Sequence, residues 1–252
     1  TTYQATDDFD TIVHGGFAIA LNGTKMYLAE EFYNNYPNKG VLEYDLSTPY
    51  DPSTATLVRK ANIPTGQEAS GPRGMYVNND ATKMWITDNN AAIKEFDFSS
   101  VGNVTDLTLN TSGSITANYL DVSEVDGVVK YFWMYGTTSV SQYEVTGGSV
   151  AGGMTLIGSL AFQDTLSNNT FKVSEDGTRA LEIDRTGGPS YLYTMSTPFD
   201  ITTAELAGSF NPQSAFMGLD SVYNIPGTTD VLGVTGLNAE YYGKYTYDCT
   251  VS

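Results

Sequence analysis

Gly23-Thr24-Lys25-Met26-Tyr27-Leu28 returns as Ala81-Thr82-Lys83-Met84-Trp85-Ile86 and again as Gly177-Thr178-Arg179-Ala180-Leu181. Fainter copies begin at Gly127 (Gly127-Val128-Val129-Lys130-Tyr131-Phe132-Trp133) and at Gly227 (Gly227-Thr228-Thr229-Asp230-Val231-Leu232). A second landmark keeps the same order: Tyr44-Asp45-Leu46-Ser47, Phe96-Asp97-Phe98-Ser99, Tyr143-Glu144-Val145, Tyr193-Thr194-Met195-Ser196 and Tyr247-Asp248-Cys249. Both recur at a period of about fifty residues, which marks a repeat architecture.

Each unit reads as four short strands. Phe17 to Leu21 is apolar on both faces, as a buried inner strand requires. Asn22-Gly23, Asp126-Gly127 and Asp176-Gly177 follow the inner strands and are hairpin signals. The second strand runs from Lys25 to Ala29. The third, Val41 to Leu46, alternates acidic and apolar residues, and the fourth lies near Ala55 to Val58.

Four strands per unit at this period predict an all-β, five-bladed β-propeller of four-stranded antiparallel blades. The whole chain, 1–252, reads as one domain, with blades at roughly 7–58, 65–110, 115–160, 165–208 and 213–252 plus 1–6. The last unit ends just after its third strand. Thr1 to Thr6 resembles Thr54-Ala55-Thr56-Leu57, so the N-terminal strand is expected to complete the last blade and close the ring.

Lys and Arg number 12 against 29 Asp and Glu, a net charge of −17. That balance repels phosphate backbones and excludes a nucleic-acid role. No apolar run is long enough to insert in a membrane. One Cys and one His exclude a Cys/His zinc site, a disulfide framework and an iron–sulfur cluster. Few charges with many Tyr, Thr, Ser and Asn suit an extracellular, virion or cell surface. Sequons stand at Asn22, Asn103, Asn110 and Asn168.

Glu30, Asp88 and Asp184 end the second strands of units one, two and four, with Tyr135 and Thr235 in the other two. In a propeller these positions ring one face. Three carboxylates there can hold Ca2+, serve a glycosidase, or cap their own turns. No other cofactor is expected. Arg73, in Gly71-Pro72-Arg73-Gly74, and His14, in His14-Gly15-Gly16, enter inner strands at matching places near the channel mouth. Arg73 suits either an anionic ligand, such as a uronic or sialic acid, or a carboxylate neighbour. Gly16, Gly74 and Gly218 precede inner strands, where side chains would crowd the axis. The long loop Glu30 to Lys39 suits sugar stacking, a protein contact or a self-packed loop. Gly147 to Gly153 lacks the ending of a phosphate loop and reads as a flexible turn. Cys249 takes the slot of Leu46, a small buried apolar position.

The repeat Gly-Thr-Lys-Met-Tyr-Leu followed by Leu42-Glu43-Tyr44-Asp45-Leu46-Ser47-Thr48-Pro49 resembles the YVTN-type and WD40-like propeller repeats of surface-layer, secreted and phage structural proteins. Some relatives of this repeat type are seven-bladed lactonases, from which five units depart. The resemblance implies a non-catalytic structural or adhesive subunit of a fibre, filament or surface appendage. Its expected partners are further copies, other structural proteins or a cell-surface glycan. The rival expectations are a five-bladed glycoside hydrolase or lyase and a polysaccharide-binding lectin.

Overall fold

A computed structural model describes residues 2–4, 12–32, 40–63, 72–88, 93–113, 115, 117–163, 169–184, 188–210, 219–224, 230–235 and 241–246. It is an all-β propeller of four-stranded antiparallel blades. Strand β1 (Thr2–Gln4) stands apart from the first sheet, β2 (Ile12–Ala20), β3 (Lys25–Phe32), β4 (Gly40–Leu46) and β5 (Ala55–Asn62). The next holds β6 (Pro72–Val77), β7 (Lys83–Asp88), β8 (Lys94–Phe98) and β9 (Leu107–Ser112). A third holds β10 (Tyr119–Val125), β11 (Val128–Tyr135), β12 (Ser139–Val145) and β13 (Met154–Ala161). A fourth holds β14 (Asn169–Val173), β15 (Arg179–Asp184), β16 (Ser190–Met195) and β17 (Ala204–Phe210). The fifth sheet is β18 (Leu219–Asn224), β19 (Asp230–Thr235) and β20 (Tyr241–Thr246), edged by β1 in the order β1-β20-β19-β18. Four of these sheets have described side chains; the fifth is described by its backbone pairing.

Inner strands touch in succession, β2 with β6, β6 with β10, β10 with β14, β14 with β18 and β18 with β2. Their approach is close. A Cβ on Gly16 would lie 2.6 Å from the Met75 Cβ, and one on Gly74 would lie 2.6 Å from the Leu120 amide nitrogen. Between the sheets sit Trp85, Trp133, Tyr27, Tyr193, Phe96 and Phe132, all fully buried. The predicted hairpin at Asp126-Gly127 is a two-residue turn, with both residues at positive φ (54° and 74°) and Val125 paired to Val128.

The third strands depart from simple alternation. Asp45 faces solvent, but Glu43 and Glu95 are fully buried. Each reaches across to the next sheet. Glu43 accepts from Lys25 Nζ, from Arg59 Nη1 at 2.6 Å and from the backbone N–H of Val104 at 3.2 Å. Glu95 accepts from Val150 N–H at 2.7 Å, Ser149 Oγ at 2.8 Å, Trp85 Nε1 at 3.0 Å and Lys83 Nζ at 2.7 Å. Gln142 accepts from Ile201 N–H at 2.8 Å and donates to the Phe199 carbonyl at 2.5 Å. The receiving segments are 3-10 turns, Val104–Asp106, Val150–Gly152 and Ile201–Thr203. The Gly147 to Gly153 segment is therefore a fastening rather than a flexible turn. Its glycines at positive φ (Gly147, Gly148, Gly153) shape the backbone that delivers Ser149 and Val150 to Glu95.

Register also moves one landmark. Lys25 pairs with Asp45, Lys83 with Asp97 and Asp230 with Thr246, and Thr235 pairs with Leu219 as Glu30 does with His14, although β3 runs on past Glu30 to Phe32 and Glu30 does not end it as the repeat predicted. Tyr245, not Tyr247, thus stands where Tyr44 does, and Ser221, not Gly218, where Gly16 does. Cys249, like Gly218, Asn168 and residues 33–39, lies outside the described residues. The other three sequon asparagines are engaged. Asn22 Oδ1 accepts from Asn79, Asn103 caps its 3-10 turn, and Asn110 Nδ2 donates to Asp97.

These contacts set an alkaline limit. Burial pulls Lys25 and Lys83 downward, but bonds to Asp45 and Glu43, and to Asp97 and Glu95, outweigh it and raise both above the usual 10.5. Burial, with nearby carboxylates second, raises Tyr27 and Tyr193 above 10.0. Raised lysines stabilise the fold below 10.5 and lose that contribution as pH climbs through their folded values. Raised tyrosines act in the same direction, because the unfolded chain ionises first. The thermal midpoint should be flat near pH 8–9 and fall between about pH 10 and 12; calorimetry across that range checks it.

Candidate ligand-binding face

One end of the disc collects the residues singled out by the repeat. Near the start of each inner strand one residue pairs with a residue of the second strand at an equivalent register: His14 with Glu30, Pro72 with Asp88, Tyr119 with Tyr135, Asn169 with Asp184 and Leu219 with Thr235; in the first sheet the pairing runs two residues further, to Ile12 and Phe32. Glu30, Asp88 and Asp184 thus occupy equivalent places, with His14 on the strand beside Glu30. The side chains of His14, Glu30 and Asp88 lie outside the described residues.

Three of these pairings contain a bulge. The ladder skips Gly15 between His14 and Gly16, Arg73 between Pro72 and Gly74, and Asp220 between Leu219 and Ser221. A bulged residue is freed from the pleat and its side chain re-aimed. At Arg73 the guanidinium Nη1 donates to Tyr119 Oη at 3.3 Å, and Nε is buried with no hydrogen-bond partner. Among the described side chains, which do not include that of Asp88 on the paired strand, no carboxylate lies within ion-pair distance of it. Tyr119 stacks on Tyr135, with ring centroids 5.4 Å apart and planes 17° apart, and Tyr135 leans on Phe171. This packing holds the phenol that Arg73 meets.

Asp184 behaves differently. It is 2% exposed, and its Oδ2 accepts from the backbone N–H of Gly188 at 2.8 Å. This is the turn-capping role. Beside it Glu182, equally buried, accepts from Tyr193 Oη at 2.6 Å, Asn169 Nδ2 at 3.0 Å and Gln163 N–H at 3.2 Å. These carboxylates are held by their own sheet and its loops. Among the described residues no group of three His, Cys, Asp or Glu is placed to hold a metal ion.

The sequence placed Arg73 near the mouth but missed the bulge that re-aims it. The available signal was the pairing of Gly-Pro-Arg-Gly with His-Gly-Gly, where one residue more than a regular ladder needs stands before the inner strand.

No family model and no curated protein matches the chain. Solved structures do. A protein from Lactobacillus plantarum matches with a TM-score of 0.56 at 11% identity, over 94% of this chain and 81% of that one. A Bacteroides fragilis protein named as a candidate 6-phosphogluconolactonase matches with a TM-score of 0.55 at 12% identity, over 94% of this chain and 67% of that one. Sqt1 from Chaetomium thermophilum matches with a TM-score of 0.52 at 8% identity, over 95% of this chain and 73% of that one. None of these neighbours is named as a surface-layer or phage structural protein, and this corrects the expected role as a subunit of a virion fibre or surface appendage. At these identities the likeness shows one thing, the propeller fold.

Proposed function

We propose that the chain is a non-catalytic binding ring of five blades, closed by β1, and that its inner-strand-start face takes a small ligand bearing a carboxylate or phosphate. One observation carries this reading: a bulge presents Arg73 with a buried, unsatisfied Nε and no carboxylate partner among the described side chains. Arg73 is half-buried, and its Nε–H, held from water without an acceptor, carries a cost that is recovered when an oxyanion meets it. The net charge of −17 does not defeat such binding. Salt screens exposed charges beyond about 8 Å, while the contact at Arg73 is made at hydrogen-bond range.

A phosphorylated sugar acid suits the test, since two neighbours are named as candidate 6-phosphogluconolactonases. Titration calorimetry with 6-phosphogluconate, gluconate and inorganic phosphate is expected to show binding by at least one. Arg73→Ala should weaken it about tenfold or more, near 1.4 kcal/mol, and Arg73→Lys should restore little, because lysine lacks the planar fork. Absence of binding by all three, or equal affinity in Arg73→Ala, would overturn the proposal.

A further inference from the structure

Three successive sheet junctions are fastened alike: a third-strand side chain accepts an N–H from the 3-10 turn of the following sheet. Glu43 does this for Val104, Glu95 for Val150 and Gln142 for Ile201. Register identifies the matching residue in the remaining two sheets. Arg179 pairs with Thr194, which puts Leu192 at that place in the fourth sheet. Asp230 pairs with Thr246, which puts Lys244 there in the fifth. A leucine side chain has no acceptor, and an ammonium group only donates.

The last junction is disabled from the other side as well. The turn that contacts β20 is Pro52–Thr54, and Pro52 stands where Val104, Val150 and Ile201 stand. Proline has no N–H to give. The turn is otherwise a close copy of Ile201–Thr203. Asp51 accepts from Ser53 N–H at 3.0 Å as Asp200 does from Thr202 N–H at 3.0 Å. Tyr50 and Phe199 share a positive φ, 59° and 57°. The geometry is kept while donor and acceptor are both replaced. Among the described residues its outer strand β1 pairs three, Thr2–Gln4, with Tyr241–Gly243. In the first sheet β5 pairs β4 along its whole length, Gly40 to Leu46.

We infer that the fifth sheet opens as a unit, leaving the other four closed. It is bounded on both sides by junctions whose chemistry cannot form the fastening, so its sub-global opening costs less than global unfolding. This inference does not depend on the ligand at Arg73.

Hydrogen exchange of the unmodified chain, read by mass spectrometry at neutral pH and low denaturant, tests it. Peptides covering β18, β19 and β20 should exchange at least tenfold faster than those covering β6 to β8 and β10 to β12, and with one shared denaturant dependence. A paired substitution supplies the second readout. Lys244→Gln with Pro52→Ile copies Gln142 and Ile201, and should slow exchange in β18–β20 about tenfold, more than the product of the single changes. Equal protection in all sheets, or a double variant no slower than that product, would overturn the inference.

Discussion

Glu95→Ala is expected to be among the most damaging single substitutions in this chain, lowering stability by about 3–5 kcal/mol. The carboxylate is fully buried and serves five donors: a lysine ammonium, an indole N–H, a serine hydroxyl, a backbone N–H and, at 3.4 Å, the Asn110 amide. Truncation leaves the Val150 N–H and the Trp85 indole without partners in a buried junction, and unmet buried donors cost about 1–3 kcal/mol each. Lys83 keeps Asp97 at 2.6 Å, so its charge is not stranded. Glu95→Gln keeps an acceptor and should cost markedly less. Urea unfolding with an unchanged slope and a lowered midpoint is the expected signature. A loss below about 1 kcal/mol for Glu95→Ala would show that the junction is held by apolar packing alone.

Gly74→Ala follows, at about 2–3 kcal/mol. The added methyl would sit 2.6 Å from the Leu120 amide nitrogen and 2.7 Å from Thr87 Oγ1. The first obstacle is backbone of the next inner strand, which cannot rotate away. Relief would require β6 and β10 to separate, and with them the spacing around the axis. Gly136→Ala is the matched control, because nothing lies within 4 Å of a Cβ there. It should stay within about 0.5 kcal/mol of the parent. Thermal melts of the three proteins decide the point, and equal melting of both variants would refute the close-approach argument.

Strand content and order were legible because hydrophobic alternation and turn chemistry are local. Asn22-Gly23 and Asp126-Gly127 announce their turns without help from the rest of the chain. The junctions were not legible for the opposite reason. Glu95 meets Val150 across 55 residues of sequence, and Glu43 meets Val104 across 61. In an alternating strand both glutamates read as solvent-facing, and only the neighbouring sheet reveals where they go. The fifth copy of the aromatic landmark was displaced by two residues, since Tyr245 and Tyr247 are both tyrosines and pairing alone chooses between them. At the candidate face, Arg73 was legible as a residue near the mouth. Its bulge was not, because one extra residue before a strand looks like loop.

The fourth strands carry a last regularity. Pairing between third and fourth strands skips one residue in each of the four sheets with described side chains, namely Val58, Asn110, Ile157 and Ala207. These strands form the outer rim, where unpaired backbone would otherwise offer a straight template to a neighbouring molecule. A bulge placed midway bends each rim strand and breaks the even spacing that sheet-to-sheet growth needs. The neighbouring leucines Leu57, Leu156 and Leu206 are exposed, so the rim has the apolar surface that aggregation would exploit. Crowded at high concentration, such rings are protected from stacking edge to edge by the shape of their outermost strands as well as by mutual charge repulsion.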